Sequence, residues 1–286
     1  MGDPTQRRLD VGWGRLGALA WNEAAPTRAL CLHGWMDNAA SFNPLANHLA
    51  DTHLVALDYA GHGQSDHRPP GANYYLHDYV FDVDAVLDTL GWDDCALIGH
   101  SLGTGVASAF AAAAPERVRC LVMLDGLGIL SEPADRSAAR LKRSLASVRQ
   151  PAKHTRRYDS VEDAARTRQR RGDMSLASAT LLAARALEAH DGQYRWRTDP
   201  GIRWESPYWG SEGAAEDLLA ALECPVLAYT TPMLADYLGE RLPNRLARIG
   251  DLRHHALDAG HHFHMDEPGP HADTIQAFLN DYGAPS

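Results

Sequence analysis

Cys95-Ala96-Leu97-Ile98-Gly99-His100-Ser101-Leu102-Gly103 decides how this chain is read. The run Cys95 to Ile98 is apolar, and Leu102 to Ala114 behind it is small and Ala-rich. That order predicts a buried strand, a sharp Gly-x-Ser-x-Gly turn and a helix able to pack closely on a sheet. A serine in such a turn sits on strained backbone with its oxygen clear of the sheet. Gly99 and Gly103 remove side chains that would collide there. The helix behind Ser101 aims its first N–H groups at any negative charge that develops nearby.

The same alternation continues outward in both directions. Leu9 to Trp13 and Leu16 to Trp21 flank Gly14 as a hairpin. Ala29 to Leu32, Leu54 to Leu57, Val118 to Leu124, Val226 to Tyr229 and His255 to Leu257 are short apolar runs without strict alternation, as strands buried on both faces require. Helical patterns fall between them. Ser41 is the expected N-cap of a helix through Leu45. Tyr79 to Leu90 carries Val80, Val83, Val86, Leu87 and Leu90 along one face, and Pro270 to Tyr282 closes the chain. Alternating strands and helices predict an α/β fold with a mostly parallel, doubly wound sheet. The alternation breaks from about Gly126 to Glu223, a helical stretch rich in Ala, Arg and Leu with few strands. The expected organisation is therefore a core of residues 1–125 and 224–286 with a helical cap, or lid, at 126–223.

The chain has 286 residues, enough for one large domain with an insertion, and its formal net charge is -10. That field repels phosphate backbones and anionic headgroups, so neither nucleic acid nor membrane is an expected partner. Arg149, Lys153, Arg156, Arg157, Arg166, Arg168, Arg170 and Arg171 crowd the cap, with Asp159, Glu162 and Asp163 beside them. They read as a solvated face partly paired with those acids. Cys31, Cys95, Cys120 and Cys224 have no paired spacing and read as free, buried thiols suited to a reducing compartment. The start, Met1 to Gln6, is polar and is not expected to be a signal peptide; Gln6 stands where myristoylation needs Ser or Thr. The expectation is a cytoplasmic protein, a monomer or homodimer.

Three further stretches join the Ser101 turn in chain order. They are His33-Gly34-Trp35-Met36-Asp37-Asn38, Asp58-Tyr59-Ala60-Gly61-His62-Gly63-Gln64-Ser65, and Gly260-His261-His262-Phe263-His264-Met265-Asp266-Glu267-Pro268. Together they resemble the signature of α/β-hydrolases. The His33 to Phe42 stretch is similar to that of the serine hydrolase-like proteins. The resemblance covers Leu9 to Val122 and Pro225 to Tyr282 and implies an α/β-hydrolase fold with Ser101 as nucleophile. It places the base at His261, chosen from His254, His255, His261, His262 and His264 by its distance before Pro268. The triad acid has two candidates. Asp125 closes the strand before the cap, where some relatives carry it. Asp236 follows the strand after the cap, but without the family's Gly-x-x-Asp turn. The resemblance also gives the oxyanion hole the backbone N–H groups of Leu102 and Trp35.

Trp35 and His100 are expected to line the substrate pocket, and His33 and His62 to brace loops. Tyr194, Trp196, Trp204, Tyr208 and Trp209 belong either to the pocket or to the core of the cap. The histidine spacing fits no zinc signature, so no metal and no organic cofactor is expected. The predicted chemistry is two-step acyl transfer to water on a small ester-like substrate. Hydrolysis of a C–C, amide or lactone bond uses the same groups. A non-catalytic ligand-binding protein could stand on the same scaffold. A dehalogenase or epoxide hydrolase is disfavoured, because serine would give a stable ether where those reactions need an ester.

Overall fold

The structure is a computed structural model that describes residues 3–149 and 156–283; Met1, Gly2 and Lys153 lie outside them. Among the described residues the strands are β1 Thr5–Asp10, β2 Arg15–Trp21, β3 Thr27–Leu32, β4 Thr52–Leu57, β5 Cys95–His100, β6 Val118–Leu124, β7 Leu187–His190, β8 Gln193–Trp196, β9 Val226–Thr230 and β10 Leu252–Ala256. The helices are α1 Asn43–Ala46, α2 Leu76–Leu90, α3 Leu102–Ala113, α4 Ser137–Arg149, α5 Val161–Gln169, α6 Leu176–Ala186, α7 Glu212–Ala220, α8 Pro232–Leu238, α9 Arg241–Arg248, α10 Phe263–Asp266 and α11 Gly269–Tyr282.

Eight strands form one sheet in the order β1-β2-β4-β3-β5-β6-β9-β10. β1 and β2 are antiparallel to their neighbours and the rest are parallel. Successive residues of a strand point to opposite faces, and here both faces are covered. In β5, Cys95 and Leu97 join one apolar layer with α2 and α3, while Ala96 and Ile98 join the other with α11. This two-sided burial is why the strand runs are continuously apolar rather than alternating. The four cysteines are buried and unpaired.

Between β6 and β9 the chain forms α4 to α7 and also the antiparallel pair β7–β8, where the sequence reading expects few strands. Its turn, Asp191-Gly192, takes positive φ at both residues, the geometry of a tight two-residue hairpin. Tyr194 and Trp196 pack there on Tyr158, Leu182 and Leu187, so these two aromatics serve the core of the insertion. Tyr208 is exposed, and Trp209 lies under the Arg140 guanidinium.

Two local expectations shift. Asn38, not Ser41, caps the first helical turn: its side chain accepts from the Ala40 N–H at 3.0 Å. Ser41 is buried inside that turn and bonds the His264 ring. The last strand is Leu252–Ala256 rather than His255 to Leu257, because its register follows β9.

A buried ion pair fastens the insertion to the sheet. Asp58, just after β4, is fully buried; it accepts from the Ala39 N–H at 2.7 Å, the Gln64 N–H at 2.8 Å and the Arg185 Nη2 at 2.7 Å. Arg185, near the end of α6, is itself buried. Removing one partner of such a pair strands the other charge away from water. Arg185→Ala is expected to lower stability by about 3–5 kcal/mol in denaturant unfolding. A loss below roughly 1 kcal/mol, the range of an exposed pair, would show that water reaches Asp58.

Candidate active site

The sheet changes winding direction at β3. The chain leaves β3 for β4 on one side and later returns to β5 on the other. In open α/β sheets that switch point opens a crevice at the carboxyl ends of the strands. Residues Trp35 and Asp37 follow β3, Ser101 follows β5, Asp125 follows β6, and His261 lies beyond β10.

Ser101 has φ 51° and ψ -115°, a conformation that side-chain-bearing residues rarely adopt. Three ties hold it. Its N–H donates to the Leu124 carbonyl at 3.0 Å, and its carbonyl accepts from the Thr104 N–H and Oγ1 at 3.0 and 2.7 Å. The two motif glycines answer to close packing: a Cβ on Gly103 would stand 1.9 Å from the Leu32 carbonyl oxygen, and one on Gly99 2.6 Å from the Gly103 oxygen. Among the described residues, neither Leu102 nor Trp35 donates its backbone N–H to a protein acceptor. The loop before β4 is fixed by Met36, whose positive φ is held where its N–H meets His62 Nε2 at 3.4 Å. His33 braces the same loop, bonding the Gly34 carbonyl through Nδ1 and the Tyr59 N–H through Nε2.

The His261 Nδ1 lies 2.5 Å from Asp125 Oδ2. The Asp125 carboxylate is buried and also accepts from the Thr231 N–H and Oγ1, each at 2.8 Å. Three donors therefore converge on one carboxylate whose backbone is itself strained, at φ 46°. Asp236 is exposed on α8, five residues past Thr231 and away from the His261–Asp125 contact. With Nδ1 bonded to Asp125, His261 Nε2 has no hydrogen-bond partner among the described residues, leaving its lone pair free for a proton. The His100 ring, next to Ser101 in sequence, packs 4.6 Å from the His261 ring and so draws the two loops together.

One pocket expectation changes. His100 is fully buried among the rings of His261, His262 and His264, and presents no surface to a substrate. It stands behind the His261 loop because its Nε2 bonds the His261 carbonyl at 3.1 Å. Trp35 is 56% exposed, its indole N–H reaching the Ile202 carbonyl at 3.3 Å.

The basic run of the insertion divides. Arg166 pairs with Glu162 on the surface, whereas Arg168 turns inward and bonds Asp37 Oδ1 at 2.5 Å. Arg168 is one residue type among many in that run, and only spacing separates it: Val161, Ala164 and Ala165 precede it on the inward face of α5. Asp37 also faces His262 and His100, and among the described residues these three bring donor atoms within 4.8 Å of one another. The Arg168 guanidinium on the same carboxylate cancels the negative charge that would draw a dication there. No helix among the described residues is long and apolar enough to cross a membrane.

This geometry defines a class. The chain belongs to the α/β-hydrolase fold family, whose model matches residues 30–268. Within it the chain is close to the serine hydrolase-like proteins. It is 29% identical to a serine hydrolase-like protein of Danio rerio over 293 residues, covering 95% of this chain and 87% of that one. A solved structure of a hypothetical protein from Pseudomonas aeruginosa PAO1 superposes with a TM-score of 0.88 at 36% identity, covering 96% of this chain and 99% of that one. The thioesterase domain from the curacin biosynthetic pathway shares the fold, with a TM-score of 0.84 at 21% identity over 98% of this chain and 100% of that one.

Proposed function

We propose that this hydrolase cleaves carboxylic esters of small molecules through Ser101, His261 and Asp125. The observation that carries the reading is the 2.5 Å contact of His261 Nδ1 with the buried Asp125 carboxylate, beside a serine held at positive φ. Asp125 keeps the Nδ1 proton in place, so the Nε2 lone pair faces outward as a base. Ser101 Oγ gives its proton to Nε2 as its oxygen bonds the ester carbonyl carbon. The carbonyl oxygen takes up the negative charge, and the N–H groups of Leu102 and Trp35 are the donors suited to receive it. The alcohol leaves with the proton from His261. Water then repeats the steps on the acyl-serine and releases the acid.

The test uses the purified chain with short aryl esters and a fluorophosphonate probe. The expected result is turnover together with a single covalent adduct that peptide mapping places on Ser101. An unlabelled Ser101 with no ester turnover would overturn the proposal.

A further inference from the structure

Two loops of the proposed site are held by residues of the inserted segment, and the protons in that contact can be counted. His262 follows His261 directly. Its Nδ1 lies 2.9 Å from the Asp173 carbonyl and its Nε2 lies 3.2 Å from Asp37 Oδ2. Both neighbours only accept hydrogen bonds, so both ring nitrogens must carry protons. His100 is the other ring facing Asp37. Its Nε2 proton goes to the His261 carbonyl, and its Nδ1 is 3.5 Å from Asp37 Oδ2, without a hydrogen-bond partner among the described residues. Burial pushes the His100 imidazole down to about 4, so it is neutral. Burial also opposes charge on His262, but the Asp37 hydrogen bond and charge outweigh it, with the Asp173 carbonyl adding, and raise it above the ordinary histidine value. Asp37 is held well below the usual carboxylate range: burial works against its charge, and the charged His262 and Arg168 on its carboxylate outweigh that.

We infer that Arg168, Asp37 and doubly protonated His262 form a charged latch that holds the inserted segment closed on both the Trp35 loop and the His261 loop. Arg168 and His262 are thus positioning residues for the ester hydrolysis proposed above, on which the catalytic half of this inference rests. Asp37 lies two residues past Trp35, and its N–H closes a turn on the Gly34 carbonyl at 3.1 Å. Fixing its side chain fixes the backbone that carries the Trp35 N–H. On the other loop, the exposed Asp173 accepts from the His261 N–H at 3.1 Å. Gly260 permits that approach, since a Cβ there would stand 2.9 Å from Asp173 Oδ2. Arg168 and Asp173 both belong to the stretch between β6 and β9, so opening that segment releases both loops at once.

The latch has a pH dependence whose sign is set. The titratable and charged groups around His262 are Asp37, Arg168, Asp173, His100, His261 and His264. His262 is raised in the folded chain, so its contribution is fully present below the ordinary histidine value and is lost as pH rises through the raised one. Once the Nε2 proton leaves, a lone pair faces the Asp37 carboxylate and the contact turns repulsive.

The experiment compares wild type, H262Q, R168Q and R168K. Thermal melts are measured from roughly pH 6 to pH 9 to bracket the histidine range. Near pH 6 the H262Q variant should melt about 4 °C or more below wild type, with the gap shrinking toward high pH. Imidazole nitrogen NMR should show His262 with two attached protons in wild type. With a turned-over ester, kcat of H262Q and R168Q should fall by about 10- to 100-fold with a smaller change in KM, because misplaced groups cost rate more than binding. R168K should recover most of the loss, since one donor on Asp37 Oδ1 suffices. The alkaline fall in kcat should vanish in H262Q. A pH-independent melting gap, or a singly protonated His262 ring at low pH, would overturn the latch. Those two readouts need no turnover, so they decide it even if Ser101 proves unreactive.

Discussion

Ser101→Ala is expected to lower ester turnover by about 10^5- to 10^6-fold and to abolish fluorophosphonate labelling, while leaving the melting temperature near wild type. The size follows from the mechanism. Without Oγ there is no acyl-enzyme, and His261 and Asp125 have no nucleophile to activate, so the variant retains only what positioning of water and polarisation of the carbonyl provide. The unchanged stability follows from the backbone. At φ 51° and ψ -115° the strain belongs to any residue with a Cβ, and alanine keeps it. Ser101→Gly separates the two effects. It is equally inactive, but it relieves a conformation costing on the order of 1–3 kcal/mol against a glycine entropy penalty of roughly 0.5–1 kcal/mol. It should therefore melt above both wild type and Ser101→Ala. A Ser101→Gly variant that melts below wild type would show that the turn is not strained and that its hydroxyl serves stability. Residual turnover within about tenfold of wild type in either variant would remove Ser101 from the chemistry.

The difference between what the sequence reveals about Ser101 and what it reveals about its partners is physical. The Ser101 turn is local: one strand, two glycines and a small-residue helix within some two dozen positions, each constrained by its chain neighbours. The glycine requirement at 99 and 103 can be reasoned from the turn alone, and the Leu32 carbonyl against Gly103 is the contact behind it. The parallel sheet is legible for a related reason, since burial on both faces leaves its mark in every strand run. The hairpin within the inserted segment is not, because it depends on two turn residues, Asp191 and Gly192, in a stretch otherwise helical. Arg168 is hidden for another reason. A basic run satisfied by water has the same composition as one in which a single member turns inward, and only the packing of α5 on the Asp37 loop selects it. His100 misleads because a position beside the nucleophile in sequence lies behind it in space: alternate residues of β5 face opposite sides of the sheet.

Asp125→Asn is the second substitution with a large expected effect: a fall in kcat of about 10^4-fold, against less than twofold for Asp236→Asn. Sequence leaves these two acids open because β6 and β9 are parallel neighbours, with Leu124 opposite Tyr229, so a carboxylate at either strand end falls near the same crevice. In the folded chain Thr231, just after β9, is a donor to the Asp125 carboxylate, and Asp236 lies five residues further on, exposed in α8. Asparagine is a sharp probe at 125. It tolerates the φ of 46° better than most residues, so the backbone is spared. Its carbonyl oxygen can still accept from the Thr231 N–H in place of Oδ1. What it cannot do is accept at both positions: its amide nitrogen then faces His261 Nδ1 as a donor. The ring answers by moving its proton to Nε2, the atom that must take the Ser101 proton, and the base is lost while the fold stands. Stopped turnover with an unchanged melting temperature is therefore the signature of an acid that sets the tautomer of His261. An Asp125→Asn variant that retains activity while Asp236→Asn loses it would reverse the assignment. Full activity in both would mean that His261 needs no carboxylate, and would leave the buried Asp125, with its three donors, as a brace between β6 and β9.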